Sequence, residues 1–455
     1  MLKIRSRFAT ANPAADMTNG NILAHIFRFS VPLLIGNLFQ QLYNTVDSVV
    51  VGNYVGKEAL AAVGSVGPMA NVLIGVFSGF ATGGGIVIAN YYGAGKSRQV
   101  HDAVQTIILV TGILSLLLPP IGIVLIPTLL NAVHTPDEIF SQSADYLLIY
   151  FSGLPGLLFY NTGSGILRAI GDSRRPLYFL IFSAVLNTIL DIWFVAYWHM
   201  GVIGVAVATI LAQFCSAILV LFVLTNCKGS YKIDWKGLRI YPQSIKLIFT
   251  IGLPVALQMA ITAFSNLFVQ SYINCFGSDC MAGWTAYNKI DSFASLPVTS
   301  LSLAITTFAG QNLGAGKNDR IRKGTYISLL SAEVISVILF VPMIIFAPLL
   351  VSAFNQDPAV IEYGSLFVRA ISPFYLILAI NQIISGVLNG LGDTKNCMLI
   401  TLGSYVLFRQ IYLLISYQAF PSIYSVMFGY PAGWVLGTIL TAWHYHKNFK
   451  RNALN

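Results

Sequence analysis

Residues 164–172 read S-G-I-L-R-A-I-G-D, and residues 385–393 read S-G-V-L-N-G-L-G-D. The two stretches lie 221 residues apart. Gly93-Ala94-Gly95-Lys96 returns at the same offset as Gly314-Ala315-Gly316-Lys317, and Phe29-Ser30-Val31-Pro32 resembles Ile251-Gly252-Leu253-Pro254 at 222. Three matches at one spacing mark a chain built as two related halves. Around them the sequence is mostly apolar. A helix needs roughly 20 such residues to cross a bilayer. Segments that meet this length lie near 26–52, 59–91, 103–131, 140–168, 176–198 and 202–227. After the polar, basic stretch from Lys228 to Tyr241 they resume near 244–274, 281–311, 323–353, 360–389, 397–418 and 422–446.

The expected fold is therefore an all-α integral membrane protein with 12 transmembrane helices in two pseudo-symmetric six-helix bundles. Its expected parts are a leader (1–25), a first lobe (26–227), a linker (228–243), a second lobe (244–446) and a tail (447–455). Six helices per half bring both halves into the membrane from the same side. The repeats are then parallel, as in secondary transporters that bind substrate where repeats meet.

Composition agrees. Of the 455 residues 56% are hydrophobic and 9% charged, against about 25% charged in a soluble domain. The net charge of +9 does not indicate nucleic-acid binding, because the basic residues sit in alternate loops. With the N-terminus in the cytoplasm, about 22 of the 26 basic residues fall on the cytoplasmic side, the exceptions being Lys57, Lys289, Arg369 and Arg409. That is the positive-inside pattern, and it places both termini in the cytoplasm. The first apolar segment is too long for a cleaved signal peptide. Cys275 and Cys280 share one short outside loop, where a disulfide or two free thiols are equally compatible with the spacing.

The two Gly-Ala-Gly-Lys turns lack phosphate-loop spacing and no ATP-binding motif appears elsewhere, so uphill transport has to draw on an ion gradient or a partner. Acids inside spanning segments are costly and need a reason. Asp47, Asp191, Asp291 and Glu333 are such acids. Asn37, Gln40 or Gln41, Asn44 and Asp47 share one face of the first helix. Asn187 and Asp191 share a face of the fifth, and Thr209 reaches a similar depth in the sixth. Two carboxyls, an amide and a hydroxyl at one level suit a proton or a sodium ion, or a hydrogen-bond network that ties helices together. The second half has Gln258, Thr262, Asn266 and Gln270 on helix 7, and Asn381, Ser385 and Asn389 on helix 10, without acid. Asp291 beside Lys289, and Arg409, suit buried structural ion pairs, with Glu333 a further partner for Arg409. Pro32 bends helix 1 or serves it as a hinge.

The segments Q-L-Y-N-T-V-D-S-V-V-V-G (41–52), A-L-A-A-V-G (59–64), I-L-R-A-I-G-D (166–172), N-T-I-L-D (187–191), G-V-I-G-V-A-V-A-T (201–209), G-Q-N-L-G-A-G-K (310–317) and G-V-L-N-G-L-G-D (386–393) together resemble the multidrug and toxic compound extrusion (MATE) family along nearly the whole chain. The resemblance implies a V-shaped pair of bundles, alternating access, and an antiporter that exports cationic amphipathic molecules in exchange for H+ or Na+. No cofactor, nucleic-acid partner or oligomer is expected, and the setting is a bacterial inner membrane. Carried over residue by residue, the family's coupling site falls on Asp47, Asn187, Asp191 and Thr209. Gln41, Tyr43, Asn44 and Asn161 fall where cavity residues belong, and Pro32 where the helix-1 proline does. Thr262 stands where one sodium-coupled branch has an acid, and the middle of helix 10 has none.

A lipid-linked precursor flippase of related architecture is the alternative. It would need a cationic cavity, and Lys289 and Arg409 are the main embedded bases. An enzyme is not expected, since the six histidines are scattered and no nucleophile motif occurs.

Overall fold

The computed structural model of the chain describes residues 16–132 and 135–453. Residues 1–15 of the expected leader and 454–455 of the expected tail lie outside the described residues. Twelve helical segments run in the expected order. They are α1 (Ile22–Val50), α2 (Lys57–Gly93), α3 (Ser97–Ala132), α4 (Asp137–Ala169), α5 (Arg174–Asp191), α6 (Gly201–Asn226), α7 (Pro242–Asn274), α8 (Ser278–Gly314) and α9 (Asn318–Ile345). α10 (Pro358–Gly390), α11 (Thr394–Ala419) and α12 (Ile423–Lys447) complete the series. Among the described residues ten of these are long and apolar enough to span a bilayer. The other two, α2 and α4, have 37 and 33 residues. α4 opens with Asp137, Glu138, Gln142 and Asp145, which lowers its mean hydropathy. Large apolar side chains are fully offered to the surroundings, among them Leu116 and Val124 of α3 and Ile338 and Ile345 of α9. Such a surface suits lipid, and the chain is a multi-pass membrane protein.

The repeat seen in sequence is also a repeat of backbone geometry. After α2, Gly95 has φ +68°; after α8, Gly316 has φ +69°. Gly95 N–H donates to Tyr92 O and Lys96 N–H to Tyr91 O, and Gly316 and Lys317 do the same to Leu313 and Asn312. After α4 and α10 the pattern recurs. Gly171 and Gly392 have φ +89° and +82°, and Asp172 and Asp393 N–H reach Leu167 O and Leu388 O at 2.9 Å each. These are glycine-closed helix ends, which a β-carbon would strain.

The described residues form two compact units, 31–132 and 135–256 with 16–17, and 257–453 with 18–30. In the first unit Ile107, Leu167, Val220 and Leu224 pack with Ile248 and Ile251 of α7. α2 and α7 touch backbone to backbone, because a β-carbon on Gly83 would lie 2.2 Å from Gly252 Cα. Small residues let helices approach this closely where lipid supplies no hydrophobic drive. The basic stretch belongs here too. Gln105 donates to Lys232 O at 3.1 Å, and Tyr241 N–H donates to Thr106 at 3.1 Å. In the second unit Trp284, Phe367, Ile371 and Trp434 form the core. The segment before α1 is held there by Lys317, whose ammonium donates to Thr18 O at 2.9 Å and to Asn19 Oδ1 at 2.8 Å. α1 and α7 thus each serve both units, and each changes unit within a few residues of a proline, Pro32 or Pro254. All five cysteines are free, with Cys275 exposed and Cys280 buried.

Candidate functional site

In the first unit α1 carries Asp47 and α5 ends on Asp191. Both helices widen into π-helical turns directly beyond these acids, at Val51–Val55 and Ile192–Tyr197. π-helical turns leave backbone groups and side chains in unusual registers and recur at functional sites. Asp191 is fully buried. The turns beyond the two acids pack on each other through Val50, Val51 and Val195, with Val46 against them, which brings the two carboxyl-bearing turns together. Neither Asp191 oxygen finds a donor, and Asp47 Oδ1 finds none. The two facts fit together, because ionised carboxylates only accept. Two carboxylates can bond to each other only through a shared proton or a bridging cation.

Asn187 lies one turn before Asp191, and its Nδ2 reaches Thr209 Oγ1 of α6 at 3.5 Å. Its Oδ1 is buried without a donor. Ser183 and Ser216 brace the same helix pair, donating to Ala212 O at 3.0 Å and Phe179 O at 3.4 Å. The unit therefore brings Asp47 and Asp191 together, sets Asn187 against Thr209, and joins these two pairs through the single turn from Asn187 to Asp191. Tyr43 lies one turn before Asp47 on the same side of α1.

Asn161 sits in α4 and donates to Leu157 O at 3.0 Å. Gln41 accepts from Thr45 through its backbone at 2.9 Å, and Asn44 is exposed. Tyr146 of α4 was not singled out by sequence. It packs against Val50, Val51 and Val195, in the turns beyond the two acids, and it stacks on Tyr150 with ring centroids 6.2 Å apart. It is 15 residues from Asn161, about 22 Å along a helix, so α4 offers a tyrosine to the acids and an amide elsewhere. The sequence signal was the Tyr146–Tyr150 pair one turn apart.

The second unit is arranged differently. Gln258 donates to Thr401 at 3.1 Å, Asn381 to Thr441 at 3.1 Å, and Gln270 to Asn274 at 2.8 Å. The expected ion pairs do not form among the described residues. Arg409 donates to Ser265 and Asn266 instead, while Glu333 Oε1 has no donor. Lys289 is exposed, and Asp291 accepts from the Tyr375 hydroxyl. Asp291 lies one turn beyond Tyr287 on α8, on the tyrosine-lined face, which directs its carboxyl away from the surface where Lys289 points.

Comparison with known proteins gives a consistent picture. A family model, MatE, matches residues 32–193 and again 254–414. The chain is 29% identical over 399 residues to the probable multidrug resistance protein YpnP of Bacillus subtilis (strain 168), covering 87% of this chain and 88% of that one. It is 30% identical over 393 residues to the probable multidrug resistance protein NorM of Thermotoga maritima, covering 84% and 82%. Among solved structures, an outward-facing multidrug resistance MATE family transporter of the MOP superfamily superposes with a TM-score of 0.91 at 22% identity, over 98% of this chain and 99% of that one.

Proposed function

The chain belongs to the MATE family of membrane transporters, and we propose that it is a secondary active exporter of cationic amphipathic molecules, driven by H+ or Na+ exchange at Asp47 and Asp191. Multidrug efflux is the activity that the names of its relatives carry. Those names speak for drug efflux over lipid flipping. The supporting observation for coupling is the pair of acids on turns that pack together, with three buried carboxyl oxygens lacking a donor among the described residues.

Ion binding closes this pair and removes its negative charge. A cationic substrate nearby then loses its electrostatic partner. Release of the ion restores two carboxylates and the affinity for a cation. Such competition drives transport only if the ion binds the two access states unequally. The π-helical turns next to both acids supply a local means of repacking α1 and α5 when the pair closes. Asn187 and Thr209 add two further oxygens within one turn, enough for a dehydrated Na+ or for a hydrogen-bond network around a proton. Pro32 leaves one backbone bond of α1 unmade and serves as the hinge. The positive-inside distribution of Lys and Arg supports cytoplasmic termini, and the bacterial sources of its relatives support a bacterial inner membrane.

The test is efflux of a fluorescent organic cation from proteoliposomes under an imposed proton or sodium gradient. Wild type exports with one of the gradients, and Asp47→Asn folds but does not export. Normal export by Asp47→Asn would sink the coupling role. The same assay checks the hinge, because Pro32→Ala should slow export while dye affinity stays within about twofold.

A further inference from the structure

Arg409 is only 2% exposed, inside a span. A guanidinium does not give up its proton in a protein, so a full positive charge is buried here. Its described partners are all neutral. Nη2 donates to Ser265 Oγ at 2.6 Å and to Asn266 Oδ1 at 2.9 Å, and the guanidinium carbon stands 4.7 Å from the Tyr430 ring centroid. Nε donates to nothing. Ser265 is already engaged by Gln410 Nε2 at 3.0 Å. No acid lies within ion-pair distance of Arg409 among the described residues, and the embedded Asp291 is bonded to Tyr375 instead. A buried charge without a counterion costs several kcal/mol, so this arrangement is incomplete as it stands.

Two further observations indicate what completes it. The hydroxyl of Tyr405 is buried without a partner among the described residues, and Tyr405 precedes Arg409 by four residues, about one turn, on α11. Two orphan donors, one cationic and one phenolic, thus share one face of that helix. The winding of α11 also changes here, with Leu402–Phe408 forming a π-helical stretch that ends on Arg409. The same change of winding borders Asp47 and Asp191 in the first unit. A merely structural tie between α7 and α11 would be met by a neutral donor without this winding.

We propose that Arg409 and Tyr405 form an anion site in the second unit that binds a carboxylate, carried by a small organic acid or by an amphoteric solute. One carboxylate oxygen accepts from Nε and the Tyr405 hydroxyl, while Ser265 and Asn266 hold Nη2 and fix the guanidinium plane. Arginine suits this role because its planar donors match a carboxylate. If the solute is a transported one, the site extends the proposed function from cations to zwitterions. Its existence does not depend on the coupling role of Asp47.

The probe is sodium acetate, titrated against purified full-length protein by thermal unfolding, with sodium methanesulfonate and sodium chloride as matched salts. Acetate is expected to stabilise wild type and Asp47→Asn more than either matched salt does. Arg409→Gln should weaken acetate binding by about tenfold or more, the loss expected for a charge-assisted bond. Tyr405→Phe, which removes one hydroxyl and leaves packing in place, should weaken it several-fold. Arg409→Lys keeps the charge and guards against a folding defect, and it should retain part of the effect. Stabilisation by chloride alone would overturn the carboxylate assignment. Equal responses of wild type and Arg409→Gln to all three salts would overturn the site. A rhodamine with a free carboxyl group and its methyl ester then identify the source. A preference for the acid that Arg409→Gln abolishes marks an amphoteric solute, and acetate binding without such a preference marks a small organic acid.

Discussion

At the scale of the residue, the acids of the first unit and the arginine of the second present opposite problems. Both oxygens of Asp191 and Oδ1 of Asp47 are buried acceptors without a donor among the described residues. Asp191→Asn supplies a permanent donor, since its Nδ2 reaches the Asp47 carboxyl without any ion. That variant should unfold at a higher temperature than wild type and yet show no gradient-driven export. A lower melting temperature together with retained export would count against the pair as the exchange site. The neighbouring Asn187–Thr209 contact is long, at 3.5 Å, and contributes little by itself. Its significance lies in presenting oxygens to whatever occupies the pair.

At the scale of the element, close helix contact and helix termination use glycine in two distinct ways. Gly83 lets α2 meet α7 at the backbone, where a β-carbon would stand 2.2 Å from Gly252 Cα. Gly95 ends α2 with φ +68° and has open space around its missing β-carbon. Gly95→Ala should therefore cost about 1–2 kcal/mol, the strain of a left-handed residue. Gly83→Val should cost more, at or beyond the upper end of the roughly 1–3 kcal/mol of overpacking, because backbone atoms cannot step aside. Thermal unfolding in detergent ranks the two. Equal melting temperatures would show that α2 and α7 do not hold this contact in solution.

At the scale of the whole molecule, topology can be read with the native cysteines. Cys275 is exposed in the turn between α7 and α8, and Cys227 lies at the end of α6. In the proposed orientation these two lie on opposite sides of the membrane. A membrane-impermeant maleimide should label a variant retaining only Cys275 in intact cells, and one retaining only Cys227 only after permeabilisation. Burial pushes the Cys227 thiol above its ordinary range. The thiolate is the reactive form, so labelling of Cys227 should be slow near neutral pH and accelerate as pH rises. Labelling of Cys227 in intact cells would invert the topology.

Twelve spans, a doubled chain and four polar residues at one depth follow from the sequence by itself, because each rests on local order. Apolar runs of spanning length, a repeated spacing and the 3.6-residue period of a helix are all properties of neighbours along the chain. The glycine turns belong here as well, since G-A-G-K and G-D mark helix ends in either half. Tertiary structure alone decided which polar groups meet. Arg409 turned to Ser265 and Asn266 on α7 rather than to Glu333, and Tyr146 came to the acids while Asn161 on the same helix did not. It also decided that α1 and α7 each serve both units, and that α-helices give way to π-helical turns beside Asp47, Asp191 and Arg409. These outcomes depend on contacts between residues far apart in sequence, where side-chain direction, close backbone approach and the cost of burying charge are resolved together.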